Sequence, residues 1–89
     1  MTSKVEIYTK FACPHCFRAK LLLESKGVAF TEIDAIGGPP REEMLARSHG
    51  RSTVPQIFIN GVHVGGNDDL QALEGTGKLD AMLATANVG

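Results

Sequence analysis

The 89 residues predict an α/β fold, a mixed four-stranded sheet flanked by helices. Three observations carry that prediction. Short segments of alternating apolar and polar residues recur along the chain, as half-buried strands require, and a stretch of helical period separates the first two. The last two such segments flank Asn60-Gly61, the dipeptide best suited to a two-residue hairpin turn. Strands joined through a crossover helix run parallel and strands joined by a hairpin run antiparallel, so the sheet must be mixed.

The elements follow in order. "VEIYT" (Val5 to Thr9) alternates and carries Val, Ile and Tyr, which favour a pleated surface. From Cys13 to Lys26 the pattern turns helical, with Phe17, Leu21 and Leu22 at helical spacing among Arg18, Lys20 and Glu24. Pro14 stands at the first helical position and Gly27 just past the end, the asymmetry expected of a helix. "VAFTEIDA" (Val28 to Ala35) alternates again and predicts a second strand. "IGGPP" (Ile36 to Pro40) predicts a loop, and "REEMLARS" (Arg41 to Ser48) a short helix with Met44 and Leu45 inward. "PQIFI" and "VHVG" form the hairpin. "NDDLQALEGTGKLDAMLATA" predicts two short helices broken at Gly75 to Gly77. No internal repeat, low-complexity segment or linker interrupts this order, and residues 1–89 are expected to form one domain.

Composition narrows the function. Hydrophobic residues make up 43%, enough for an ordinary core without staples. The formal net charge is −1, and no basic stripe suggests nucleic acid as a partner. "MTSKVEIY" enters a strand pattern directly, without the apolar stretch of a secretory signal, and no apolar run is long enough to cross a membrane. The expected compartment is the cytoplasm, where stable structural disulfides are rare.

Cys13 and Cys16 are the only cysteines, in "KFACPHC". A bridge closing so small a loop would add only about 2 kcal/mol, a weak return for a structural disulfide. Zinc would need two further ligands. His15, His49 and His63 are available, but no second C-x-x-C or H-x(3–5)-H accompanies them, so no metal is expected. A reversible dithiol fits better. Residues three apart on a helix bring their Cβ atoms within about 5–6 Å, close to what a disulfide needs. Cys13 at the helix N-terminus, with Lys10 nearby, should favour its thiolate and act as nucleophile. Cys16, one turn in, should be less exposed and act as the resolving thiol. In a chain of this strand and helix order, C-x-x-C points to a thioredoxin-like dithiol.

"YTKFACPHC", "TVPQIFINGVHVGG" and "NDDLQAL", in this order, resemble the bacterial dithiol glutaredoxins, close to the glutaredoxin 3 type. The resemblance spans Val5 to about Leu83. It implies a thioredoxin-like fold and a glutathione-dependent oxidoreductase that reduces glutathione mixed disulfides and protein disulfides, contributing to cell redox homeostasis. It implies glutathione as electron donor with no permanently bound cofactor, and a monomer whose partners are glutathione and glutathionylated or disulfide-containing proteins, not nucleic acid or membrane.

The resemblance also implies a glutathione site. Thr53, Val54 and Pro55 match the family's segment before a cis-proline, where Val54 offers its backbone N–H and C=O to the cysteine of glutathione, a miniature strand addition; local sequence alone equally allows a proline that only opens the next strand. Gly65 and Gly66 let the ligand backbone approach. Asn67 is expected as N-cap of the following helix, whose N–H groups hold the γ-glutamyl carboxylate while Asp68 accepts from the ammonium. Asp68 and Asp69 have a second reading, in which they only complement the helix dipole. Lys10 and Arg51 match positions near the glycine carboxylate, and either could instead be a solvated surface charge.

Two positions depart from the family. His15 stands where many relatives carry tyrosine; it keeps a planar ring beside Cys13 and makes the pH dependence less certain than the family implies. Asn67 replaces a cysteine found in close relatives, so no third thiol is present. His49 and His63 are assigned no role. The competing class is a carrier holding an iron–sulfur cluster between two subunits. Members specialised for that usually carry C-G-F-S, whereas this chain has Pro14, His15 and a second cysteine.

Overall fold

The structure, a computed structural model, describes residues 4–84. Val5–Thr9 forms β1, Pro14–Ser25 α1, Thr31–Asp34 β2, Gly38–Arg47 α2, Gln56–Ile59 β3, Val62–Gly65 β4, Asn67–Gly75 α3 and Lys78–Ala84 α4. The last predicted helix reached Ala86, and its final two residues lie outside the described ones. No helix among the described residues is long and apolar enough to cross a membrane.

The sheet order is β2-β1-β3-β4. β1 runs parallel to β2, with Glu6 opposite Thr31 and Thr9 opposite Asp34, and antiparallel to β3, with Val5 opposite Ile59 and Tyr8 opposite Gln56. β3 and β4 form the antiparallel hairpin at Asn60-Gly61, where both residues take positive φ, +53° and +82°. That is the backbone an Asn-Gly turn supplies at little steric cost.

Strand alternation sorts the core onto two faces. Val5 and Ile7 of β1 and Ile57 and Ile59 of β3 pack with Ala19 and Leu23 of α1, Leu70 of α3 and Leu79 of α4. On the other face Tyr8, Phe58 and Ala35 meet Met44 of α2. There the Tyr8 and Phe58 rings meet edge to face at 5.7 Å, and the Arg47 guanidinium lies 4.0 Å over Phe58. Arg47 also donates to both Glu6 carboxylate oxygens at 3.0 and 3.2 Å and to the Tyr8 hydroxyl at 2.9 Å, while that hydroxyl donates to Glu43. The polar end of a buried tyrosine thereby ties α2 to the sheet.

Two boundaries differ from the sequence prediction. The second strand begins at Thr31, not Val28. Its pairing with β1 starts at Glu6↔Thr31, and Val28 and Phe30 instead fold against the α1-side core. Gly38 to Pro40, predicted as loop, form the first turn of α2. N–H groups in a first turn have no intrahelical acceptor, so prolines there remove nothing.

Candidate functional site

Cys13 is the residue immediately before α1. Its backbone is extended (φ −99°, ψ 113°), Pro14 opens the helix, and the Cys13 carbonyl accepts the Phe17 N–H at 3.0 Å. Cys13 is half-buried and Cys16, one turn later, is 2% exposed; both are free thiols. The chain reaches Cys13 through Ala12, whose φ of +58° is unusual for a residue with a side chain.

The two thiols are held apart in acidity. Partial burial opposes the Cys13 thiolate. The Cys16 backbone N–H and thiol, the His15 N–H and, last, the Lys10 charge outweigh it and hold Cys13 below the ordinary thiol value. Burial, reinforced by the neighbouring Cys13 sulfur, pushes Cys16 up to about 11. Near neutrality the more accessible sulfur, Cys13, is the one that reaches the nucleophilic form. The rate of alkylation against pH should therefore show Cys13 titrating below the free-thiol value of about 8.5. Lys10→Ala should move that midpoint up only slightly, since the helix-terminal N–H groups act more strongly. A large move would make Lys10 the main source of the field.

Across from Cys13 lies the segment before β3. The Val54–Pro55 peptide bond is cis, and the Cys13 thiol lies 3.9 Å from the Val54 carbonyl oxygen. Two side chains that sequence reading passed over hold this segment. Gln56 is fully buried, and its amide nitrogen donates to the Thr53 carbonyl at 3.0 Å and lies 3.3 Å from the Thr53 hydroxyl. Its amide oxygen meets His63 Nε2 at 2.7 Å, and the His63 ring stacks on Phe58 at 4.9 Å. Because the Gln56 nitrogen faces Thr53, its oxygen faces His63, and Nε2 carries the shared proton. Nothing in the residues around His63 marks it for this role. It braces Gln56 from the strand behind.

Two clefts meet at Val54 and His15. One, about 590 Å³, is lined by Lys10, Cys13, His15, Arg41, Thr53 and Val54. The other, about 160 Å³, is lined by His15, Arg51, Val54, Pro55 and residues 66–69. Of the two cations read together from sequence, Lys10 lines the first cleft and Arg51 the second. Arg41, not singled out, stands with Lys10.

The start of α3 is also rearranged relative to expectation. Gly66, not Asn67, is the N-cap. Asn67 is the first helical residue, 7% exposed, and its side-chain oxygen accepts from Gln71 at 3.2 Å. A cap needs an acceptor for the helix-terminal N–H groups, and Asp69 supplies one from within the helix. Its carboxylate accepts the Gly66 N–H at 2.9 Å and pairs with Arg51 at 3.3 Å. The Gly66 N–H, followed by Arg51, holds the Asp69 carboxyl below its usual range. Asp68 is exposed at the cleft. Among the described residues, no group of three or more His, Cys, Asp or Glu side chains is placed to hold a metal ion.

A paired dithiol at a helix N-terminus, facing a cis-proline segment, invites comparison with known proteins. The glutaredoxin family model matches residues 5–64. Glutaredoxin 3 of Escherichia coli K12 is 58% identical over 82 residues, 91% of this chain and 98% of the relative. The chain belongs to the glutaredoxin family. It is of the bacterial glutaredoxin 3 type and is a glutathione-dependent thiol–disulfide oxidoreductase with a thioredoxin-like fold. Among solved structures, the solution structure of a Brucella melitensis glutaredoxin is similar with a TM-score of 0.79 and 60% identity, covering 92% of this chain and 89% of that one. A crystal structure of a buckwheat glutaredoxin–glutathione complex is similar with a TM-score of 0.81 and 29% identity, covering 93% and 78%. In this glutaredoxin, then, Cys13, the Thr53–Pro55 segment and the start of α3 line two adjoining clefts that share His15, Thr53 and Val54, although these parts are far apart in sequence.

Proposed function

We propose that Cys13 attacks the glutathione-side sulfur of a mixed disulfide and expels the substrate thiol, after which a second glutathione frees Cys13. With a protein disulfide, Cys13 bonds the target and Cys16 resolves it. Glutathione is the electron donor and no cofactor is resident. The observation that carries this reading is the Cys13 thiol 3.9 Å from the Val54 carbonyl, at the junction of the two clefts. A tripeptide bonded to Cys13 there would run alongside Val54, whose backbone can pair with it as a strand does.

On this reading glutathione lies across both clefts. Its glycine carboxylate faces Lys10 and Arg41 in the larger one. Its γ-glutamyl end enters the smaller one, between Arg51, the N–H groups of Asn67 and Asp68, and the Asp68 carboxylate. Thr53, Val54 and Pro55 form the wall between them, and His15 covers the junction. The protein works as a monomeric single domain in the cytoplasm, on glutathionylated and disulfide-containing proteins.

Asp68→Ala tests the ligand end. Loss of a charge-assisted contact at an exposed site should cost about 1–2 kcal/mol, close to a tenfold rise in KM for a glutathione mixed disulfide. Alkylation of Cys13 by iodoacetamide should be unchanged. A mixed disulfide of cysteinyl-glycine lacks the γ-glutamyl group, so on it the variant should lose almost nothing relative to wild type. Equal losses on both substrates would mean that Asp68 acts through the fold and not through the ligand.

A further inference from the structure

The two clefts assigned to glutathione lie on one side of Cys13. A third depression, about 800 Å³, opens on the other side, between α1 and β2, and both sulfurs line it together with Phe11, Phe17, Lys20 and Glu32. Its chemistry is different. Phe11 is 87% exposed and Phe17 59%. Leu21, one turn beyond Phe17 on the same face of α1, is 48% exposed. The helix already buries Cys16, Ala19 and Leu23 on its core side, so Phe17 and Leu21 are not needed by the core. Of the charges on the wall, Glu32 pairs with Lys20 at 3.0 Å and accepts from the Thr9 hydroxyl at 2.8 Å, while Lys10 and Asp34 lie at the end away from Leu21 in sequence. An apolar strip thus starts at the reactive sulfurs and runs along α1.

We propose that this strip docks the polypeptide of a protein disulfide substrate, as an extended segment with an apolar side chain two residues from the cysteine that bonds to Cys13. The inference rests on the reading in which Cys13 attacks and Cys16 resolves. Glutathione is a tripeptide with charged ends and fits the cation-lined clefts, whereas nothing about it calls for an aromatic strip. A polypeptide bonded to Cys13 continues past its cysteine and must lie against something. The spacing fits. Phe17 lies about 6 Å along the α1 axis from Cys13 and Leu21 about 12 Å, at 1.5 Å per residue. In an extended chain the side chains on one face recur every two residues, about 6.6 Å apart. Side chains two and four residues from the substrate cysteine would therefore meet Phe17 and Leu21 in turn. In the reaction the Cys13 thiolate attacks one substrate sulfur, forms the Cys13–substrate bond and expels the other substrate sulfur as thiolate. Cys16 then loses its proton to solvent and attacks Cys13, closing the Cys13–Cys16 bond and releasing the first substrate sulfur. The substrate disulfide gains two electrons and the dithiol loses them.

The test follows oxidation of the fully reduced protein by a pair of peptides, each with one intramolecular disulfide, that differ only in Leu or Ser two residues outside each cysteine. Wild type should form its first mixed disulfide about tenfold faster with the Leu peptide, the effect of partly burying one aliphatic side chain. Phe17→Ser should shrink the preference to within about twofold, and Val62→Ser, an equally exposed apolar change on β4, should leave it intact. Phe17→Ser should turn over a hydroxyethyl–glutathione mixed disulfide at the wild-type rate. The proposal is overturned if wild type shows no preference, if Phe17→Ser keeps it, or if that variant loses equally on the glutathione substrate. It is also overturned if sedimentation shows wild-type dimers that Phe17→Ser dissolves, which would give the strip to a second copy of the chain. The preference is read in the first step, so it stands or falls separately from the resolving role of Cys16, which Cys16→Ser tests on the same peptides.

Discussion

Cys13→Ser is expected to lose turnover on every disulfide substrate, by at least about a thousandfold, as when an enzyme nucleophile is removed. The structure leaves no substitute. Cys16 is 2% exposed and burial pushes it up to about 11, so near neutral pH it is both shielded and protonated. Cys16→Ser should behave differently. It should keep the reduction of glutathione mixed disulfides, because glutathione itself can free Cys13. It should stall on protein disulfides as a Cys13–substrate adduct. Parallel assays on a glutathione mixed disulfide and a disulfide-bonded protein check both outcomes. Normal turnover by Cys13→Ser would reverse the assignment of nucleophile. Undiminished protein-disulfide reduction by Cys16→Ser would remove the resolving step.

Gly65→Ala should be the most damaging change outside the dithiol. Gly65 has φ +118°, a backbone that residues with side chains rarely adopt. An added Cβ would run into the Asp69 carboxylate and come within 2.9 Å of Arg51 Nη1. The cap of α3 and the Arg51–Asp69 pair cannot both stay in place. Strained backbone and displaced neighbours together should cost roughly 2–4 kcal/mol, about 10–20 °C in melting temperature for a domain of this size. KM for glutathione should rise as well, because the small cleft loses its shape. Gly66→Ala is the control. Gly66 has φ −90°, and its added Cβ would sit 3.4 Å from the Pro55 carbonyl oxygen, an ordinary contact. Thermal melting of the two variants should separate by most of the Gly65 effect, and equal melting would refute the clash.

That contrast shows where sequence reading stopped. By sequence, Gly65 and Gly66 look alike, both giving room to a ligand backbone. Gly65 is instead glycine because Asp69 and Arg51 of its own chain occupy the space. The pairing of Arg51 with Asp69 joins the loop between α2 and β3 to the first turn of α3, and no local pattern encodes it. The same holds for Gln56 and His63, whose hydrogen bond depends on how β3 and β4 are registered past their bulge. What was legible is local. The Asn60-Gly61 hairpin, the Pro14 helix start and the Cys13–Cys16 spacing each follow from backbone preferences within a few residues. The prolines at 39 and 40 misled because the same residues suit a loop and a first helical turn, and only packing of Met44 on the sheet chooses between them.

The central claim is that one sulfur, Cys13, carries glutathione. It is tested most directly by incubating Cys13→Ser and Cys16→Ser, fully reduced, with glutathione disulfide and weighing the intact proteins. Cys16→Ser should gain one glutathione, removable by excess thiol, and Cys13→Ser should gain none on the same timescale. A Cys13→Ser protein that took up glutathione as readily as Cys16→Ser would contradict the account.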